Sequence, residues 1–341
     1  MKRTILGMVI CLLFVTGCGG KKEDGFSNWK EGAAAIEALE SYVEAVTDEE
    51  SADFIPAEDR IAAFDLDGTL YCETFPIYGE WLMFAERALN DATYDAPAHI
   101  RAVADTVVAA GESRSIPGEL EEAEINAQAE AFAGMSIDDY MAYVEQFKQT
   151  DAEGFRNLKR GEAFYLPMLE IVAYLEAHDF TVYICSGTNR FTVRALIDGT
   201  IDIPSRQVIG TDFTIKASGQ GKTGDMHYDI TKEDELLMGD ELIIKNVKMS
   251  KVSQIQQELG QKPVLVFGNS TGDIPMALYS DTENPYRTEV FFLLCDDTER
   301  EHGNEKKADA IRETCAEYEW NTISMRDDWI TIYGDHVSIA E

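Results

Sequence analysis

The apolar run Ile61-Ala62-Ala63-Phe64 ends abruptly in Asp65-Leu66-Asp67-Gly68-Thr69-Leu70. No other feature constrains the fold as much as this junction. An uncharged run of strand length must be buried on both faces, as a central strand is in a parallel sheet covered by helices. The acidic pair then falls at the carboxyl edge of the sheet, where open α/β sheets hold their ligands. Phe180 to Cys185, Pro263 to Phe267 and Glu289 to Leu294 read as further strands. Helical segments are expected at Met168 to Ala177, with Pro167 at the first helical position, and at Lys251 to Leu259. Strands alternating with helices predict an α/β fold with a doubly wound, Rossmann-like parallel sheet. A glycine-rich section from Gly210 to Gly239 predicts a hairpin that turns at Gly219 to Gly224.

Between Pro76 and Gly161 the pattern turns wholly helical, with candidate segments at Gly79–Asn90, Pro97–Ala110, Leu120–Phe132 and Ile137–Lys148. Near the start, Asn28 is expected to cap a helix from Trp29 to about Val46, where Ala33, Ile36, Leu39, Tyr42, Val43 and Val46 recur at helical spacing. Before it, Lys2 and Arg3 precede an uncharged run from Ile5 to Val15 that is too short to span a bilayer and reads as a targeting segment. The organisation expected is therefore a leader over 1–17, a tether and helix over 18–58, a core from 59–75 and 162–341, and a helical insert over 76–161.

The chain carries 63 acidic and 29 basic residues, a formal charge of −34. Such a field repels nucleic acid and leaves no basic stripe to bind it. It also opposes a phosphorylated ligand, so a phosphate site here must bring its own positive charge from a lysine and a metal ion. Cys72, Cys185, Cys295 and Cys315 are too few to form a disulfide framework. A Cys295–Cys315 bridge is left open. The five histidines stand singly, and no zinc spacing occurs.

Three polar clusters fall on strand ends. In the first, Asp65 and Asp67 lie two residues apart and can point to one side, one to attack and the other to handle a proton. Gly68 allows the turn and Thr69 can bond within it. In the second, Ser186-Gly187-Thr188 offers a hydroxyl and backbone N–H groups to an anion. In the third, Gly268-Asn269-Ser270-Thr271-Gly272-Asp273 offers oxygen ligands to a hard cation such as Mg²⁺. Lys251 opens the helix before the third cluster, where the helix dipole disfavours a cation. Lys248 is its rival.

Taken in order, these features resemble the haloacid dehalogenase superfamily, and in particular a bacterial branch related to phosphoserine phosphatases. The likeness rests on Asp65…Asp67-Gly68-Thr69, Tyr183-Ile184-Cys185-Ser186-Gly187, Lys251-Val252, Gly268-Asn269-Ser270…Gly272-Asp273 and Thr298-Glu299-Arg300-Glu301. It implies a Mg²⁺-dependent phosphomonoester hydrolase with Asp65 as nucleophile and Asp67 as acid and base. It further implies that Ser186, the Gly187 N–H and Thr69 serve the phosphate, with Lys251 neutralising charge. Asp65, the Asp67 carbonyl, Asn269 and Asp273 would hold the metal, and the helical insert would be a cap. Asn269 departs from the usual acidic pattern and supplies an oxygen without a charge. Glu73 and Arg190 are expected to touch the organic part of a small phosphorylated metabolite, such as a phosphoserine-like one. The alternatives are a phosphotransferase or nucleotidase of the same superfamily and a non-catalytic ligand-binding lipoprotein. Val15-Thr16-Gly17-Cys18 resembles a bacterial lipobox, which implies export and lipid anchoring at Cys18.

Overall fold

The computed structural model describes residues 25–74 and 76–340. The expected leader over 1–17 and the expected anchor residue Cys18 lie outside the described residues. The chain runs α1 (Ala34–Thr47), β1 (Ile61–Phe64), α2 (Gly79–Leu89), α3 (Ala98–Ser113), α4 (Leu120–Phe132), α5 (Ile137–Lys148), β2 (Phe155–Arg156), α6 (Leu166–Ala177) and β3 (Thr181–Asn189). It continues through α7 (Arg190–Ile197), β4 (Val208–Ala217), β5 (Leu236–Ile244), α8 (Met249–Glu258), β6 (Leu265–Gly268), α9 (Ile274–Asp281), β7 (Glu289–Leu294), α10 (Glu305–Tyr318), β8 (Asn321–Ser324) and β9 (Ser338–Ile339).

Seven strands form one sheet in the order β5-β4-β3-β1-β6-β7-β8, and every neighbouring pair is parallel except β4 and β5. The expected α/β, doubly wound architecture is present. The chain leaves β1 toward β3 on one side and later returns to place β6 on the other. β1 therefore stands at a topological switch point, where the loops diverge and leave a crevice.

Alternation along β1 builds the two layers. Ala62 and Phe64 join a core that includes Leu39 and Val43 of α1 and Ile171 of α6. Ala63 faces the other way, with Ile255 of α8, Met276 of α9 and Ile311 of α10. All of β1 is buried, so its lack of charge is a packing requirement.

α1 begins at Ala34, later than expected, because Gly32 turns the chain at φ +75°. Asn28 donates to Glu170 instead of capping that helix. The four helical segments between Gly79 and Lys148 form close to their expected bounds. α4 packs on β5, and beyond α4 the Gly134 N–H donates to the Met238 carbonyl while the Met238 N–H donates to the Met135 carbonyl, each at 2.8 Å. β3 runs on to Asn189, past the expected end at Cys185, with its register shifting between those two residues. The four described cysteines are free thiols, so Cys295 and Cys315 are not joined. Among the described residues, no helix is long and apolar enough to cross a membrane.

Candidate active site

β1 delivers Asp65 and Asp67 at its carboxyl end. The Asp65 amide donates to the Phe267 carbonyl of β6 at 2.9 Å, which prolongs the ladder by one residue and fixes where the nucleophile candidate emerges. The chain then reverses, with Gly68 at φ +85°, a region that costs a side-chain-bearing residue energy. Space also demands glycine here. A Cβ at this position would lie 1.8 Å from Asn269 Nδ2, so the first and third polar clusters touch through the missing side chain.

The Lys251 Nζ donates to Asp65 Oδ1 at 2.5 Å and to Asp273 Oδ1 at 2.7 Å, with all three groups buried. Lys251 rather than Lys248 is therefore the lysine at the site, since Lys248 is exposed. Asp273 Oδ2 accepts from the Asn269 N–H, the Ser270 N–H and the Ser270 hydroxyl, at 3.2, 3.1 and 3.0 Å. Asp273 thus ties its own loop together and braces Lys251 at once. Asp67 accepts from the Thr188 hydroxyl at 2.7 Å. These residues line one cavity of about 170 Å³, together with Gly187, Asn269, Tyr78, Trp81 and Glu80.

Burial and neighbouring charge together set the titration of the group. Burial, then the neighbouring Asp273 carboxylate, pushes Asp65 up against the opposing pull of Lys251. Burial raises Asp67 to about 7, with Glu80 and Glu73 adding to the shift and the Thr188 bond and Lys245 opposing it. Burial alone would depress the Lys251 ammonium, but Asp273 and Asp65 outweigh it and hold its pKa above the ordinary lysine value.

The donor set suits a hard divalent cation. Six carboxylates, those of Asp65, Asp67, Glu73, Glu80, Glu121 and Asp273, line the cavity against two lysines, Lys245 and Lys251, which leaves negative charge for a cation to neutralise. Asn269 Nδ2 is buried with no hydrogen-bond partner. Oxygen and nitrogen of an amide are exchangeable assignments, and turning the group would aim its oxygen into the gap beside Gly68.

Other expected contacts fall elsewhere. Thr69 is buried behind Asp65, to which its hydroxyl donates at 3.4 Å, so it supports the nucleophile candidate and does not line the cavity. Ser186 is fully buried and its Oγ accepts the Thr188 N–H at 3.0 Å, which leaves Gly187 and Thr188 as the members of that cluster that line the cavity. The cluster is not at a helix start. It forms the irregular end of β3, and Asn189 caps α7 instead. Glu73 reaches the cavity wall, but Lys307 grips its carboxylate at 2.6 and 2.8 Å. Arg190 contradicts its expectation. Its guanidinium is held by both oxygens of Asp212, each at 2.8 Å, and by Glu258, away from the cavity lining. A guanidinium between two carboxylates gains more from forked pairing than it would from facing an acidic cavity.

Glu80 escaped the sequence reading. Its carboxylate, on α2, accepts from the Asn189 N–H at 2.9 Å and the Thr192 hydroxyl at 2.8 Å, latching the insert to the core. Its one visible signal is an acid on the same helical face as Phe84 and Ala88, both buried. Lys245, which follows β5, also lines the cavity, and nothing in its local sequence marks it.

A parallel α/β sheet with its acidic, lysine-braced cleft at the switch point defines the class of protein. The model for haloacid dehalogenase-like hydrolases matches residues 62–278, and the chain belongs to that family. Among solved structures it is similar to a protein of unknown function from Anaerococcus prevotii DSM 20548, at 14% identity and TM-score 0.54 over 87% of this chain and 92% of that one. It is also similar to a cytosolic 5'-nucleotidase IIIB bound to cytidine, at 12% identity and TM-score 0.50 over 87% of each chain. A phosphoserine phosphohydrolase-like protein from Francisella tularensis subsp. tularensis SCHU S4 matches at 13% identity and TM-score 0.39, over 69% and 87%. At these identities the first two likenesses concern the fold alone. No curated protein matches the chain.

Proposed function

We propose that this hydrolase is a Mg²⁺-dependent phosphomonoesterase that acts on a small phosphorylated metabolite, exported and lipid-anchored at Cys18. The observation that carries the reading is the single ammonium of Lys251 set between Asp65 and Asp273, with Asp67 in the same cavity. Asp65 attacks phosphorus and forms a phosphoaspartate as the ester P–O bond breaks. Asp67, whose pKa of about 7 suits both directions of transfer, gives its proton to the departing oxygen. It then takes a proton from the water that hydrolyses the acyl phosphate and releases inorganic phosphate. Lys251 keeps Asp65 ionised and aimed. Asp65, the Asp67 carbonyl, Asn269 and Asp273 would hold Mg²⁺, which supplies charge stabilisation for the transferring phosphoryl group. The small volume of the cavity favours a compact leaving group, phosphoserine-like compounds among them.

The test is hydrolysis of p-nitrophenyl phosphate by the form lacking residues 1–18, with and without EDTA, beside Asp65→Asn. Activity that depends on added Mg²⁺ and disappears in the variant is expected. Metal-independent turnover, or an active Asp65→Asn protein, removes the mechanism. Anchoring is checked separately by metabolic labelling with a radioactive fatty acid, which Cys18→Ala should abolish.

A further inference from the structure

Most polar groups that line the active-site cavity are already committed. Lys251 is shared by Asp65 and Asp273, Glu73 is held by Lys307, Glu80 accepts from the core, and Asp67 accepts from Thr188. Lys245 is the contrast. It is half-buried and lines the same cavity; its backbone carbonyl accepts from the Val247 N–H at 2.9 Å, but its ammonium makes no hydrogen bond or ion pair with any described residue.

Its position is built, not incidental. Lys245 stands at the head of a short strap that leads from β5 into α8. The next residue, Asn246, is fully buried, donates to the Ser186 carbonyl at 2.9 Å through its side chain and to Thr211 Oγ1 at 3.1 Å through its N–H. Thr211 in turn donates to the Gly187 carbonyl at 2.6 Å. Val247 lies so close to Gly187 that a Cβ there would be 3.1 Å from its methyl group. The Lys248 N–H reaches the Gly272 carbonyl at 3.1 Å. One strap, pinned to both the second and third polar clusters, therefore carries Lys245 at its start and leads to Lys251 in the following helix.

The two ammoniums serve different sides. Lys251 contacts the nucleophile candidate directly. Lys245 is felt electrostatically by Asp67, the proposed proton donor to the leaving oxygen, and by Glu80 and Glu124. Glu124 opposes an anion there only weakly, because burial raises its pKa to about 8 and keeps it neutral at physiological pH.

We propose that Lys245 is a substrate-binding residue that selects phosphomonoesters whose alcohol portion carries its own anionic group, a carboxylate or a second phosphate. A flexible ammonium with three unspent donors meets such a group wherever the leaving portion presents it. The proposal rests on the phosphomonoesterase reading for its substrate class, but binding can be measured without turnover.

The experiment compares the soluble protein, Lys245→Met and Lys245→Arg in two assays. The first is calorimetric binding of 2-phosphoglycolate and of inorganic phosphate. The second is kcat/KM for 2-phosphoglycolate, p-nitrophenyl phosphate and phosphocholine. Lys245→Met is expected to weaken phosphoglycolate binding by roughly 10- to 100-fold while phosphate binding changes little. The kinetic loss should fall mainly on KM and be confined to phosphoglycolate, with Lys245→Arg restoring part of it. Equal losses on all ligands would make Lys245 a clamp for the phosphoryl group or a structural cation and overturn the proposal. Preference of the unaltered protein for phosphocholine would overturn it too, showing that the acidic lining selects a cationic leaving group. If no ester is hydrolysed, the phosphatase reading fails, and the binding ratio still decides the role of Lys245.

Discussion

Asp65 and Asp273 face each other across one ammonium, with Lys251 Nζ 2.5 Å from the first and 2.7 Å from the second. β1 and the loop after β6 supply the acids and α8 supplies the lysine. The buried site is thus closed by three separate elements and one proton-rich group.

Removing that group exposes the arrangement. Lys251→Met should abolish phosphatase activity and leave two buried carboxylates without a counter-ion, at a cost of roughly 3–5 kcal/mol. Protonating the acids relieves the repulsion. The loss in Tm against the unaltered protein should therefore be larger at pH 8 than at pH 5.5, as read by differential scanning calorimetry without metal.

Gly68 links two loops by lacking a side chain. Gly68→Ala puts a Cβ into the space of Asn269 and holds an alanine at φ +85°, a strain of about 1–3 kcal/mol. The double variant Gly68→Ala/Asn269→Ala should recover part of the Tm but none of the activity. Additive stability losses in that cycle would show that the two residues do not press on each other.

Asn269 sets the charge of the proposed metal site. Asn269→Asp should lower the Mg²⁺ concentration needed for half-maximal activity. Asn269→Ala should raise it by roughly 10- to 100-fold. Titration of Mn²⁺ binding by electron paramagnetic resonance gives the same ordering without turnover.

Glu124 predicts a pH dependence of stability. Both of its carboxyl oxygens are buried without partners among the described residues, and burial raises its pKa from 4.5 to about 8. The unfolded chain loses this proton near pH 4.5 and the folded one only near pH 8, so the folded state holds more protons in between. Stability falls as pH rises through that window and levels off above it. Glu124→Gln removes the ionisable group. It should raise Tm at pH 8 by several degrees, roughly 5 °C or more, and change it little at pH 4.5. An equal shift at both pH values would trace the effect to packing instead of ionisation.

Much of this protein was legible along the chain. β1, β7 and the insert helices follow from local periodicity, because apolar spacing alone decides whether a segment can bury one face or both. Asp65, Asp67 and Lys251 stand out only in combination: alone the acidic pair reads as a capped turn and the lysine as a surface residue, and it is the order of the clusters, resembling the haloacid dehalogenase superfamily, that marks them. Contacts between distant segments carry no such signal. Arg190 reads as a residue at the mouth of the site until Asp212 and Glu258 are seen around its guanidinium. Glu73 reads as free until Lys307, far along the chain, grips it. Glu80 and Lys245 have ordinary local sequences, and folding alone makes them neighbours of Asp67. Local sequence thus determined which segments form strands and helices and which groups could react. Tertiary structure decided which of those groups are already satisfied, because a side chain's hydrogen bonds and counter-charges depend on what is near it in space.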